Sequence, residues 1–418
     1  MNSIANSPSH QLANFRISRA ACAALGVAVL GAAAGAQMTS LAEHDAIAYS
    51  TSAPTDQVAK LQQRIDAGEV RLAYDEAHGW LPAVLKALNV PTSTQGLVFS
   101  RTSLQVDRIA PWTPRAIYFN DELYVGWVQG GPIMEVASAD PKLGAVFYTL
   151  AQDKTDHPKF ERQTHLCLQC HDSSTSTGGV PGFIMRSVVT DRYGYPVLAD
   201  TGATTDLTPM EKRWGGWYVT GTLGNPPHMG NVFVPKLAHE IGNVQSYLAQ
   251  NRLVSTHDVT SLKDRFDVDP YLAPGSDAVA LLVLAHQTSV HNLITLAGYE
   301  TRIAGGQLDA RAKGVADRLY NAMTFAKSAP LAAPVTGTST FTADFQALGP
   351  KDAQGRSLRD LDLHERVFKY PVSYLIYSDS FNALPDSVKQ YIYGRLRAEA
   401  SPEVLEILRD TKSGFPRT

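Results

Sequence analysis

The pentapeptide Cys167-Leu168-Gln169-Cys170-His171 constrains this 418-residue chain more than any other feature, because the remaining cysteine, Cys22, sits inside an apolar N-terminal stretch. Two cysteines cannot build a disulfide framework, so the fold must rest on a hydrophobic core, for which 44% hydrophobic residues suffice. In C-x-x-C-H spacing, two thiols add to the vinyl groups of one haem and the adjacent imidazole reaches the iron from one face. A redox dithiol would want a preceding βαβ unit, and a structural zinc would want two more Cys or His nearby; neither is found. A plain disulfide would leave His171 without a role. The motif predicts one haem c per chain, held covalently by Cys167 and Cys170, with His171 as proximal iron ligand.

The N-terminus carries Arg16 and Arg19, then an alanine-rich stretch from Ala20 to Ala36 ending Ala34-Gly35-Ala36. This pattern predicts a secretory signal over residues 1–36, cleaved after Ala36, and a periplasmic or otherwise exported protein with no membrane span after cleavage. The alternative is an uncleaved N-terminal helix acting as an anchor. Lys+Arg 37 against Asp+Glu 40, without a long run of one sign, gives no nucleic-acid surface.

Periodicity predicts helices over Thr55–Gly68 and Trp80–Val90 within an N-terminal helical segment, residues 37–95. A haem-binding region, 96–235, follows. It has a hairpin over Ala116–Gln129 turning at Asn120-Asp121, a strand at Ala145–Leu150, and two strands in Phe183–Ala199 around Asp191-Arg192-Tyr193-Gly194. A helical region, 236–327, holds Lys236–Gln250 and a long apolar helix from about Asp277 to Ile303 with Ser276 as N-cap. Ser328–Thr340 reads as a Pro/Thr-rich linker, and 341–418 as a C-terminal helical region with Ser401-Pro402 as an N-cap and N1 pair. The class is α+β: a strand-containing haem-binding middle and a mostly helical C-terminal part.

Around the motif, Gly178-Gly179-Val180-Pro181-Gly182 suits a turn whose Pro181 carbonyl accepts a bond from the second ring nitrogen of His171, or a turn serving only the fold. For the sixth ligand the choice is Met229, in Asn225-Pro226-Pro227-His228-Met229-Gly230, since a proline-held loop keeps a weak thioether in place at low entropic cost. His228 is the alternative, and Met185, Met210 or an open site complete the field. Arg213 and Trp217, in Arg213-Trp214-Gly215-Gly216-Trp217-Tyr218, suit a propionate and a porphyrin face, or an ordinary aromatic strand. His286 and His291 are about 140° apart on a helix and cannot share a metal; His286 reads as a buried, hydrogen-bonded core residue. His165 reads as structural or exposed.

These residues support electron transfer with an unidentified redox partner protein more than catalysis. A small carrier needs only about 100 residues, so two alternatives stay open. One is a haem enzyme acting on peroxide or a small nitrogen oxide, with His228, His286 or His291 as acid–base group. The other is a haem-based sensing module.

From Phe99 to Arg395 the chain resembles a family of bacterial exported cytochrome c domain-containing proteins. The resemblance rests on PRAIYFNDELYVGWVQGGP from Pro114, LGAVFYTL from Leu143, CLQCH with GGVPG, RWGGWYVTGT from Arg213, HMGN from His228, HNLITLAGYETR from His291 and GRSLRDLDLHERVFKYPVSYLIYS from Gly355. It implies a single-haem protein with a large scaffold and no particular substrate. Tyr370-Pro371-Val372 departs from the family, in which a cysteine follows the proline.

Overall fold

A computed structural model describes residues 40–197, 203–251 and 253–417; the expected signal segment, the expected cleavage point after Ala36 and Cys22 lie outside them. The fold is α+β. Seven antiparallel strands are β1 (Gly96–Val98), β2 (Arg115–Phe119), β3 (Leu123–Trp127), β4 (Ile133–Asp140), β5 (Gly144–Ala151), β6 (Phe160–Arg162) and β7 (Trp217–Tyr218), in the order β6-β5-β4-β3-β2-β1-β7. The hairpin turns at Asn120 as expected, because the Asn120 side chain accepts from the backbone N–H groups of Glu122 and Leu123.

Register decides what each face of the sheet carries. Val98 pairs with Arg115 and with Trp217, Ile117 with Gly126, Gly126 with Glu135, Tyr124 with Ala137, Ala137 with Phe147, and Glu135 with Thr149. Directly paired residues point the same way, so these ten share one face. The other face takes the N-terminal segment. Helix α1 (Gln57–Asp66) buries Val58, Leu61 and Ile65, and its N-cap Asp56 accepts a 2.6 Å bond from the Tyr148 hydroxyl. Helix α2 (Leu81–Ala87) adds Leu81, Val84 and Leu85 to the core.

The remaining helices are α3 (Leu168–His171), α4 (Val244–Gln250), α5 (Ala278–Ile303), α6 (Ala310–Met323), α7 (Phe341–Ala347), α8 (Asp379–Asn382), α9 (Asp386–Glu399) and α10 (Pro402–Thr411). Helix α5 is long and apolar enough to cross a bilayer, yet 83% of its most apolar stretch is buried within the protein, as befits a central core helix. It lies over the first sheet face: Gln287 donates to the Asn120 carbonyl and the Tyr124 hydroxyl, and the His291 Nε2 position lies 2.7 Å from the Asp121 carbonyl.

Several expected boundaries move. The α5 cap is Asp277, which accepts from Val279 and Ala280, while Ser276 accepts from Leu97. Helix α4 starts only at Val244. Residues 183–197 form isolated bridges and a turn instead of two strands. Ser328–Thr340 is packed, not a free linker: Leu331 and Val335 are buried, and Thr336–Gly337 (β9) pairs with Gly221–Thr222 (β8). Ser401 and Pro402 do cap and begin α10.

Candidate haem site

Helix α3 is a single turn whose entry is Cys167; the His171 N–H donates to the Cys167 carbonyl at 3.0 Å. Cys170 is exposed, Cys167 half-buried, and neither is in a disulfide. Both border the same opening as His171, which follows them in the chain. After the turn the chain doubles back through Gly178 and Gly179, both at positive φ, until Gly182 donates to the His171 carbonyl at 2.9 Å.

That return fixes the imidazole. The His171 Nδ1 position lies 2.9 Å from the Gly182 carbonyl oxygen, the geometry of an Nδ1–H donor, which leaves Nε2 as the lone-pair nitrogen. The carbonyl used is that of Gly182, one residue beyond the expected Pro181; the Pro181 carbonyl instead accepts from Ala145 at the start of β5. Burial pushes the His171 pKa down to about 4, helped by Arg115 and Arg186, so the ring is neutral and able to ligate at neutral pH. The Phe147 ring packs 4.7 Å from it. Gly182 itself is held from behind by Asn292 of α5, whose side chain accepts from the Phe183 N–H and donates to the Phe183 carbonyl, both at 2.8 Å. A Cβ on Gly182 would come within 2.9 Å of Asn292 Cγ and Thr177 Cβ, so this position takes glycine alone.

In front of His171 opens a cleft of about 310 Å³. Its floor is the sheet face named above, from Trp217 through Val98, Arg115, Ile117, Gly126, Tyr124, Glu135 and Ala137 to Phe147 and Thr149. One wall is the motif, another is Phe183–Arg186, and Leu284 and Thr288 of α5 close the side. Gly126 and Ala137 leave the middle of the floor nearly bare. Crowding does not demand the glycine, since a Cβ there would meet its nearest neighbour at 3.6 Å, an ordinary contact. A flat, largely apolar ligand fits over such a floor. Two buried polar atoms in the cleft are also unpaired: Arg115 Nε and Glu135 Oε1, although the same side chains meet through Arg115 Nη1 and Glu135 Oε2 at 2.6 Å. The spare Arg115 Nε–H, beside a neutral imidazole, suits a carboxylate such as a porphyrin propionate, while Glu135 Oε1 suits a hydrogen-bond donor.

Of the other residues singled out in the sequence, Trp217 lines the cleft, its indole N–H donating to the Arg186 carbonyl at 2.7 Å. Arg213, His228 and Met229 are not among the residues lining it. The Arg213 guanidinium is buried and donates to the carbonyls of Thr208 and Asp206, which suits it to bracing a loop. His228 is buried edge-on to Trp214 at 5.4 Å, with its Nδ1 accepting from the Gly230 N–H. The Met229 sulfur accepts from Ser187 at 3.7 Å and packs against Val189, Val234 and Ile241. The methionine that does line the cleft is Met185, almost wholly buried. His165 is exposed.

His286 is buried as expected, between Asp206 Oδ2 at 2.6 Å and Ser373 Oγ at 2.7 Å. The order Ser-His-Asp matches a nucleophile relay. Ser373 is completely buried, however, and its hydroxyl also accepts from the Leu375 N–H, so the trio clasps α5 to the C-terminal segment. Burial likewise pushes the pKa of His291 down to about 4. Among the described residues no group of three or more His, Cys, Asp or Glu converges as a metal cage. No protein-family model, curated protein or solved structure matches the chain.

Proposed function

We propose that the protein is an exported single-haem c-type cytochrome that passes electrons to and from a partner protein. The observation that carries this reading is one arrangement: both motif cysteines and a neutral His171, oriented through Nδ1 by the Gly182 carbonyl, bordering a sheet-floored cleft with a bare centre. Cys167 and Cys170 would hold haem c, and His171 would ligate its iron. Bound there, haem supplies one-electron exchange at iron. Met185, which lines the cleft where Met229 does not, would be the thioether to ligate the iron, and Arg115 with Arg186 would take the propionates. The mouth of the cleft is bordered by Leu104, 41% exposed, and Leu166, 49% exposed, beside the exposed Cys170. An apolar rim at a cofactor edge suits brief docking of a redox partner. Export rests on the Arg16-to-Ala36 signal, and an intact mass beginning near Gln37 tests it.

The covalent claim is tested by denaturing electrophoresis with haem staining. Wild type keeps the stain, and Cys167→Ser combined with Cys170→Ser abolishes it. Wild-type haem extracted by acid acetone would refute the proposal.

A second reading, a haem enzyme, is favoured by the Arg115–Glu135 pair in place of the histidines first considered. Glu135 Oε1 would accept a hydrogen bond from a small polar substrate in the cleft and Arg115 Nε–H would donate one to it. Under this reading the reduced wild type binds carbon monoxide rapidly, and Glu135→Gln lowers turnover of peroxide or nitrite without lowering haem content.

A further inference from the structure

Beside the haem cleft lies a second cavity of about 440 Å³, and Phe183 and Thr288 line both. We propose that this cavity binds a polyhydroxylated carboxylate, such as a sugar acid, with Arg318 and Lys327 taking the carboxylate and the Ser/Thr-rich wall taking the hydroxyls.

Three segments build it. Arg318 and Asn321 are three residues apart on α6 and so share a helix face, and Lys327 follows just beyond the helix end. Ser289 comes from α5 and Ser174 from the loop after the haem motif. The other two cations of α6 are matched, Arg311 with Glu300 and Lys313 with Asp317. Among the described residues neither Arg318 nor Lys327 has a carboxylate partner, although both line the same concavity. The one carboxylate in the lining, Asp206, is engaged by His286. The hydroxyls of Ser174 and Ser289 and the Asn321 amide are likewise uncommitted within the described residues, so they are available to an incoming polyol.

Size selects the class. A volume of about 440 Å³ falls in the range of sites for small organic ligands, roughly 300–1,000 Å³, and far exceeds what one inorganic oxyanion fills.

The test is isothermal titration of the full mature protein with D-gluconate, D-glucose and inorganic phosphate, beside Arg318→Gln, Lys327→Gln and the double variant. Both positions are exposed, so the variants should keep the wild-type melting temperature. Wild type is expected to bind gluconate about 100-fold tighter than glucose, with about tenfold lost per cation removed. Equal affinity for glucose and gluconate, no gluconate binding, or an undiminished double variant each overturn the proposal. Phosphate displacing gluconate at equal concentration would mark an inorganic oxyanion site and overturn the assigned class. Binding is read without reference to haem, so failure here leaves the cytochrome reading untouched, and the reverse.

Discussion

Asn292→Ala is expected to be among the most damaging single substitutions near the candidate site, although Asn292 would touch no iron. Its amide makes two 2.8 Å hydrogen bonds to the backbone of Phe183, one through each heteroatom, in a buried setting. Alanine leaves the buried Phe183 N–H and C=O without their partner. Each orphaned group costs about 1–3 kcal/mol, so the loss should be about 2–6 kcal/mol. With a urea m-value of about 3 kcal/mol/M, the midpoint falls by about 0.7–2 M. Equilibrium unfolding followed by tryptophan fluorescence measures it. The neighbouring Gly182 carbonyl should loosen together with Phe183, so the His171 bond weakens and the reduction potential of the haem protein changes as well. A loss below about 0.5 kcal/mol with an unchanged potential would refute the argument that α5 positions His171 through Phe183.

Gly126→Leu fills the bare centre of the cleft floor; haem content per polypeptide, by pyridine haemochrome, should fall several-fold while α-helical circular dichroism stays. Met185→Ala should remove the ferric charge-transfer band that marks methionine ligation and open the reduced protein to carbon monoxide, whereas Met229→Ala should leave both readouts as in wild type. Burial raises the Glu122 pKa from an ordinary 4.5 to about 8. The folded chain then keeps a proton that the unfolded chain releases between those values, and stability falls as pH rises through that window. Glu122→Gln should flatten this fall, up to roughly 4 kcal/mol, in melting curves taken from pH 4.5 to 9.

The hairpin at Asn120 was legible because its signal is local: one side chain closes the turn it occupies. Strand β4 was not, since Ile133–Asp140 contains Glu, Ala and Ser of weak strand propensity and is fixed by its neighbours on both sides. The reading of two strands in Phe183–Ala199 failed because that stretch spends its backbone bonds on scattered partners, as when Val188 donates to Gly215 and the Met185 carbonyl accepts from Thr204. The motif singled out Cys167, Cys170 and His171 as candidates, and the three border one cleft, but composition cannot tell which carbonyl of Pro181-Gly182 turns inward. Sequence separation pointed to Met229, whereas enclosure by long-range contacts brings Met185 to the cleft. Arg115 and Glu135 gave no signal at all: they become neighbours only through the register of β2, β3 and β4.

Register also argues against a separable haem domain, and the argument can be tested by truncation. Residues 96–235 contain the motif and all seven strands, so a fragment of that span would look sufficient on the criterion of chain segments alone. Yet the face that floors the cleft is closed by α5, which makes five polar bonds to it or to the proximal loop: Gln287 to Asn120 and Tyr124, His291 to Asp121, and Asn292 twice to Phe183. At about 0.5–1.5 kcal/mol net for each bond given up to water, their loss amounts to about 2.5–7.5 kcal/mol, a large share of the stability of a typical domain. Newly exposed apolar surface opposite Leu281 and Leu284 adds to it. The N-terminal segment covers the opposite face and is missing from the fragment too. Residues 96–235 expressed with an export signal are therefore expected to yield no protease-resistant product and no covalent haem stain, while residues 37–418 yield both. A folded, haem-stained 96–235 fragment would mean that the sheet supports the site without α5, and the account of how Gly182 is held would have to be rebuilt from the sheet alone.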